Sequence, residues 1–156
     1  MSYQIAKARW ATTAGLMAIC TSLGACSTLP VPSKTLTVYN LSSGDAYIEF
    51  EQPNSIGDKI LWRSDVQTLG GESLGIGSGH CTRLDADANF FCSFTVTLDG
   101  RGIISGHGIQ RTEPLESTFP IIGGTGEFEG IVGEIKSTPV EERARFRYDM
   151  TYSLSR

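Results

Sequence analysis

The chain has 156 residues, 19% of them charged, with 13 basic against 17 acidic side chains and a net charge of −4. That length suits one domain with a real core. An acidic balance with scattered Lys and Arg lacks the basic footprint that nucleic acid requires, so no nucleic acid partner is expected.

The first element in chain order does not belong to the fold. Met1 to Arg9 carries Lys7 and Arg9 and no acid, Trp10 to Leu23 is mostly apolar, and Leu23-Gly24-Ala25 precedes Cys26. A charged start, an apolar stretch and a small-residue cleavage site are the parts of a signal peptide. A transmembrane helix is the alternative, but the apolar run falls short of the ~20 residues that a span needs. Leu-Gly-Ala-Cys resembles a bacterial lipobox. The resemblance implies a lipoprotein signal peptide over 1–25, lipid transfer to Cys26, cleavage before it and N-acylation. Several acyl chains exceed the two signals that stable anchoring takes. Ser27 in place of Asp implies, by analogy with Gram-negative sorting, the outer membrane facing the periplasm. Loss of Lys7 and Arg9 would take the net charge from −4 to −6. Residues 26–34 then form a lipidated tether, stiffened by Pro30 and Pro32, and 35–156 form the domain.

From Thr35 on, the hydrophobic period is two. Ile60, Trp62, Ser64 and Val66 alternate with Lys59, Leu61, Arg63 and Asp65. Phe90, Cys92, Phe94, Val96 and Leu98 form a second such face, and Phe146, Tyr148, Met150, Tyr152 and Leu154 a third. These are strands with one buried face. Turn signals stand at Ser43-Gly44-Asp45, Pro53-Asn54-Ser55, Gly70-Gly71, Asp99-Gly100 and Thr138-Pro139. Short strands at regular spacing, with no amphipathic helix between them, predict a sandwich or a barrel. Gly75, Gly77 and Gly79 share a strand face with Cys81, and Gly106 and Gly108 share another. Interior glycines leave room for aromatics opposite, or for a ligand.

Cys20 leaves with the signal and Cys26 takes the lipid, so Cys81 and Cys92 remain in a compartment where disulfides persist. A turn centred on Asp85-Ala86-Asp87-Ala88 places these two cysteines opposite each other across a hairpin. The expectation is a disulfide; two buried free thiols are the alternative. Two cysteines without a second pair make a poor zinc site.

The glycine-rich segment Phe119–Lys136 raises the question of phosphate binding. It lacks the Lys of a P-loop, and its spacing, Gly124-x-Gly126-x3-Gly130, does not fit a dinucleotide fingerprint. Glu127, Glu129 and Glu134 would repel phosphate. The expectation is a tight turn in which glycine supplies positive φ, with Phe128 tucked inside between two strands.

That same segment, TFPIIGGTGEFEGIVGEIK, resembles the signature of the allene oxide cyclase and dirigent barrels, with Gly123, Gly124, Gly126 and Phe128 as the family turn motif. IGDKILWRSDV, GHCTRLD and FRYDMTYSL extend the resemblance over about Leu36 to Leu154. It implies an all-β, eight-stranded antiparallel barrel with a central apolar cavity, and commonly a dimer or trimer. The implied cavity residues are Tyr39, Asn40, Ile60, Trp62, Ser64, Cys81, Phe90, Phe94 and Gly108. In the plant cyclases a glutamate steers epoxide opening; its place here is taken by Asn40. A second family Asn becomes Ser42, a cavity Tyr becomes Gly108, and a water-holding Asn becomes Ser64. An amide cannot act as a carboxylate base, so no catalytic residue is assigned on the cyclase pattern. Dirigent acids are usually aspartates, and Asp45, Asp65 and Asp149 qualify by residue type alone.

Other constellations carry little. His80 and His107, the two histidines, alternate with apolar residues and lack a carboxylate at useful spacing, so no metal and no cofactor are expected. Ser78 and Ser105 lack a placed base. EERARFR reads as a solvated strand face or a subunit contact. Three functions follow: an envelope lipoprotein barrel that binds a small apolar ligand, a cyclase or isomerase that acts by confinement, or a structural barrel filled by its own side chains.

Overall fold

The computed structural model describes residues 32–49, 54–140 and 145–155. The expected signal peptide and the lipidated Cys26 lie outside the described residues. Eight strands follow one another: β1 (Lys34–Ile48), β2 (Lys59–Gln67), β3 (Ser73–Arg83), β4 (Phe90–Leu98), β5 (Gly102–Gln110), β6 (Ser117–Gly124), β7 (Ile131–Val140) and β8 (Arg145–Leu154). Each pairs antiparallel with the next, and β8 pairs back onto β1, from Lys34 opposite Tyr152 to Leu41 opposite Arg145. The barrel of the sequence reading is therefore the observed fold. Closure leaves no edge strand to pair with another chain.

The period-two pattern sets the inside of the barrel. Cys92, Phe94, Val96 and Leu98 of β4 are buried, as are Tyr148, Met150 and Tyr152 of β8 and Val38 of β1. Each fully buried side chain of this size contributes about 1.5–3 kcal/mol relative to exposure. Two of the turn signals mark something else. Thr138-Pro139 lies within β7, with Pro139 opposite Phe146. Ser43-Gly44-Asp45 is a β-bulge inside the long β1, where the register with β2 slips between Ser42 and Gly44.

Antiparallel order gives the barrel two unlike ends. At one lie the start of β1, the β2–β3, β4–β5 and β6–β7 connections, and the end of β8. A single 3-10 turn, Gly126–Phe128, closes this end. Phe128 is 1% exposed and its ring meets Tyr152 edge-on at 6.1 Å. Arg101 lies over the outer side of the Phe128 ring and pairs with Glu127 at 2.9 Å. Gly126 and Gly130 stand at φ +63° and +71°, the left-handed turn that the glycine-rich segment was expected to make. A β-carbon on Gly124 would strike the Phe128 carbonyl at 2.7 Å, so this glycine seats the plug.

The other end carries the β3–β4 and β5–β6 connections, with the β1–β2 and β7–β8 connections partly outside the described residues. The β3–β4 loop is held by Asp85, whose carboxylate accepts from the Asn89 amide side chain at 2.8 Å and backbone N–H at 3.0 Å. Those bonds lower the Asp85 pKa. The loop fixes the register that sets Cys81 opposite Cys92.

Candidate functional site

Below the open end the barrel holds a cavity of about 240 Å³. A dry apolar cavity of ~150 Å³ takes up benzene, so this one has room for a two-ring molecule. Ile60 and Trp62 of β2, Phe94 of β4, Phe119 of β6 and Phe146 of β8 form most of its wall. The Cys81–Cys92 disulfide, present as expected, completes the wall between β3 and β4.

The interior glycines explain how large rings fit here. A β-carbon on Gly79 would come within 2.7 Å of Phe94 and 2.8 Å of the Trp62 ring. One on Gly106 would meet Phe94 at 2.9 Å. The missing side chains on β3 and β5 thus admit Trp62 and Phe94, whose rings stand 6.2 Å apart. Phe94 also meets Phe119 edge-on at 5.1 Å and Tyr148 at 5.9 Å. Offset and edge-on pairs of this kind are favourable beyond their area. The glycines serve both readings offered by the sequence: aromatics fill part of the space, and a cavity remains beside them.

The cavity contains a polar corner. Asn40 and Ser64, on the paired strands β1 and β2, are each 3% exposed. Neither amide atom of Asn40 nor the Ser64 hydroxyl has a hydrogen-bond partner among the described residues. Both lie beside Gly77, whose absent β-carbon would stand 2.5 Å from Ser64 Oγ and 3.3 Å from Asn40 Nδ2. Tyr148 and Ser137 complete the corner. Burial raises the Tyr148 pKa to about 12, while the nearby Asn40 and then Ser137 act in the opposite direction. The phenol is neutral at physiological pH. Asn40 is close enough to influence it without forming a well-aligned hydrogen bond.

Among the described residues lining the cavity, charged groups occur only at the mouth. Asp45 and Arg63 line it, and Ser42 donates to Asp45 Oδ1 at 3.2 Å. The bulge places Asp45 there. Ser42 lies opposite Ser64 and Asp45 opposite Trp62, both on the inner face of β2. An uninterrupted strand would send residues 42 and 45 to opposite faces. A glycine within a strand is the sequence signal for such a bulge; reading Ser43-Gly44-Asp45 as a turn concealed it.

Of the residues expected at the cavity, Asn40, Ile60, Trp62, Ser64, Cys81 and Phe94 line it. Tyr39 does not. It alternates with the inward Val38 and Asn40, and its ring packs under the Arg145 guanidinium at 4.4 Å. Phe90 packs against the core without lining the cavity. Gly108 does not reach the cavity either, because the Phe119 ring occupies the space its side chain would take, 3.1 Å from the β-carbon position. Phe119, Ser137, Gln110 and Leu115 are lining residues that the sequence reading left unassigned to the cavity, and Tyr148, one of the interior aromatics, lines it too. Asp65 and Asp149 lie away from it; Asp149 pairs with Arg147 at 2.9 Å and accepts from Thr37 at 2.7 Å. His107 packs against Phe91 at 5.6 Å. No cluster of three metal-ligating side chains occurs among the described residues.

No protein-family model and no curated protein matches the chain. Solved structures do. A pyocyanin demethylase superimposes with a TM-score of 0.68 at 22% identity, over 77% of this chain and 100% of its own. The pterocarpan synthase dirigent protein GePTS1 gives 0.66 at 15%, over 83% and 88%. A nonspecific heme-binding cyclase that catalyses a cycloaddition gives 0.64 at 17%, over 78% and 65%. The chain thus has the eight-stranded fold shared by dirigent proteins and cyclase barrels, the architecture implied by its glycine-rich turn motif.

Proposed function

We propose that the chain is a lipid-anchored envelope barrel whose cavity binds a small, largely apolar molecule. The observation that carries this reading is the cavity of about 240 Å³ beside Trp62 and Phe94, at one end of a barrel whose other end is plugged. The neighbours support the reading at the level of fold, because cyclases and a dirigent protein use such barrels.

The strand order gives the anchor a consequence. β1 begins at the plugged end, with Lys34 beside Tyr152. A tether from Cys26 to Ser33 reaches at most roughly 25–30 Å. A lipid on Cys26 would therefore attach the barrel from its plugged end, opposite the mouth. Ile122 and Val132, exposed on the outer face of the neighbouring strands β6 and β7, suit packing against a second copy of the chain.

Catalysis by confinement is the second reading, and Asp45 favours it. The bulge brings one carboxylate to the mouth, within reach of a bound molecule's outer edge. That would supply an acid or base from a different place on β1 than Asn40, the position at which the plant cyclases carry theirs.

Native mass spectrometry of protein recovered from bacterial envelopes without denaturant tests the binding reading. The expected result is a bound mass of metabolite size. An apo mass that stays unshifted when two-ring aromatic compounds are offered would contradict it.

A further inference from the structure

The polar corner specifies more than an apolar ligand. Asn40 offers a buried donor and a buried acceptor, whichever way its amide is turned, and among the described residues neither makes a well-aligned hydrogen bond, although the amide lies near enough to Tyr148 to act on its phenol. Ser64 Oγ is likewise without a hydrogen-bond partner among the described residues, on the strand paired with β1. Buried polar atoms in native proteins almost always have partners, and leaving them without one is costly. Three such atoms together at the edge of a cavity fit a site whose partner arrives from outside.

Charge narrows the class of partner. No cationic side chain lines the corner; Arg63 and Asp45, the charged lining groups, stand at the mouth. Tyr148 is a neutral phenol. A carboxylate buried against this corner would be desolvated without a counter-charge. A hydrocarbon would leave the three atoms unsatisfied.

We infer that the cavity selects neutral two-ring molecules that carry a hydrogen-bond donor beside a carbonyl, as in a lactam, and that Asn40 reads this pair while Ser64 assists. The inference rests on the proposal that the cavity binds a small molecule, and it adds the chemistry of recognition. The apolar rings would lie against Trp62, Phe94 and Phe119, with the donor–acceptor edge towards Asn40. Steroid-sized or longer molecules exceed the cavity.

Calorimetric titration of the purified full-length chain tests this with three probes of similar shape: 2-quinolone, naphthalene and 2-naphthoate. The quinolone should bind about tenfold more tightly than naphthalene, since engaging buried, unsatisfied groups is worth at least one hydrogen bond. 2-Naphthoate should be the weakest. Asn40→Leu should abolish the quinolone's advantage while naphthalene binding is kept or improved. Ser64→Ala, a gentler change, should reduce the advantage in the same direction. Naphthalene binding as tightly as the quinolone to the native chain would overturn the inference and leave the apolar cavity standing. A tighter 2-naphthoate would also overturn it. Binding of none of the three would count against both this inference and the proposed function beneath it.

Discussion

The two ends of the barrel are built from the same alternating strands, yet one is solid and the other hollow. At the plugged end Phe128, Leu98, Ile104 and Met150 are at most 2% exposed, and among the described residues the unpartnered buried polar atoms of Asn40 and Ser64 lie elsewhere, at the cavity. At the open end the buried set includes Asn40, Ser64 and Ser137, beside a cavity. Stability is concentrated where the packing is complete. The open end gives up some stability for a shaped, polar-edged space, as functional sites commonly do.

Deletion of matched side chains sharpens this contrast most. Phe128→Ala should cost about 3–5 kcal/mol, the range for a buried Phe truncated in a packed core. Ile60→Ala, at the cavity wall and only half-buried, should cost clearly less, since part of its surroundings is already empty. Chemical denaturation of the two variants gives both values. Equal costs would break the distinction.

The disulfide is the open end's main reinforcement. Replacing Cys81 and Cys92 together by Ala should lower stability by up to about 3 kcal/mol on the chain-entropy account. The plug should be insensitive to it, so the Arg101–Phe128 contact should persist in the nuclear magnetic resonance spectrum of the folded variant.

Alkali should act on the open end through Tyr148. Its folded pKa of about 12 lies above the unfolded value of 10.0, so the folded state retains the proton longer. The stability linked to that proton is complete below pH 10 and is lost as pH rises towards 12. The full effect amounts to about 2–3 kcal/mol. Tyr148→Phe should flatten the fall in stability between pH 10 and 12, measured against the parent chain. A parallel decline in both would place the alkali-sensitive group elsewhere.

The smallest expected effect has the opposite sign. Asn40→Leu removes two unsatisfied buried atoms and should raise stability by about 1–2 kcal/mol. A loss instead would mean that the amide is engaged in the empty barrel.

Much of this contrast was legible in the sequence. The strict alternation in β2, β4 and β8 gave the inner face, because a strand with one buried side must repeat every second residue. The glycines of the plug announced themselves through their turn chemistry, and Cys81 and Cys92 through their symmetric placement about a hairpin. The open end was harder to read. The bulge at Ser42–Gly44 inverts the alternation in β1, and with the turn misplaced, Asp45 had no assigned face. Tyr39 was set inside by resemblance, although its parity with Asn40 sends it outward to Arg145. Phe119 fills the space beside Gly108 from across the β5–β6 pair, a contact between distant strands that no local pattern encodes.

The chain has two tryptophans, Trp10 and Trp62. With Trp10→Phe, fluorescence would come from the cavity wall alone. Titration with 1-bromonaphthalene, a heavy-atom quencher shaped to the cavity, is then the most direct test of the central claim. Saturable quenching of Trp62, reversed by a competing two-ring compound, is the predicted result. Quenching that rises linearly with concentration, as for free tryptophan in solution, would mean that the open end does not bind such molecules.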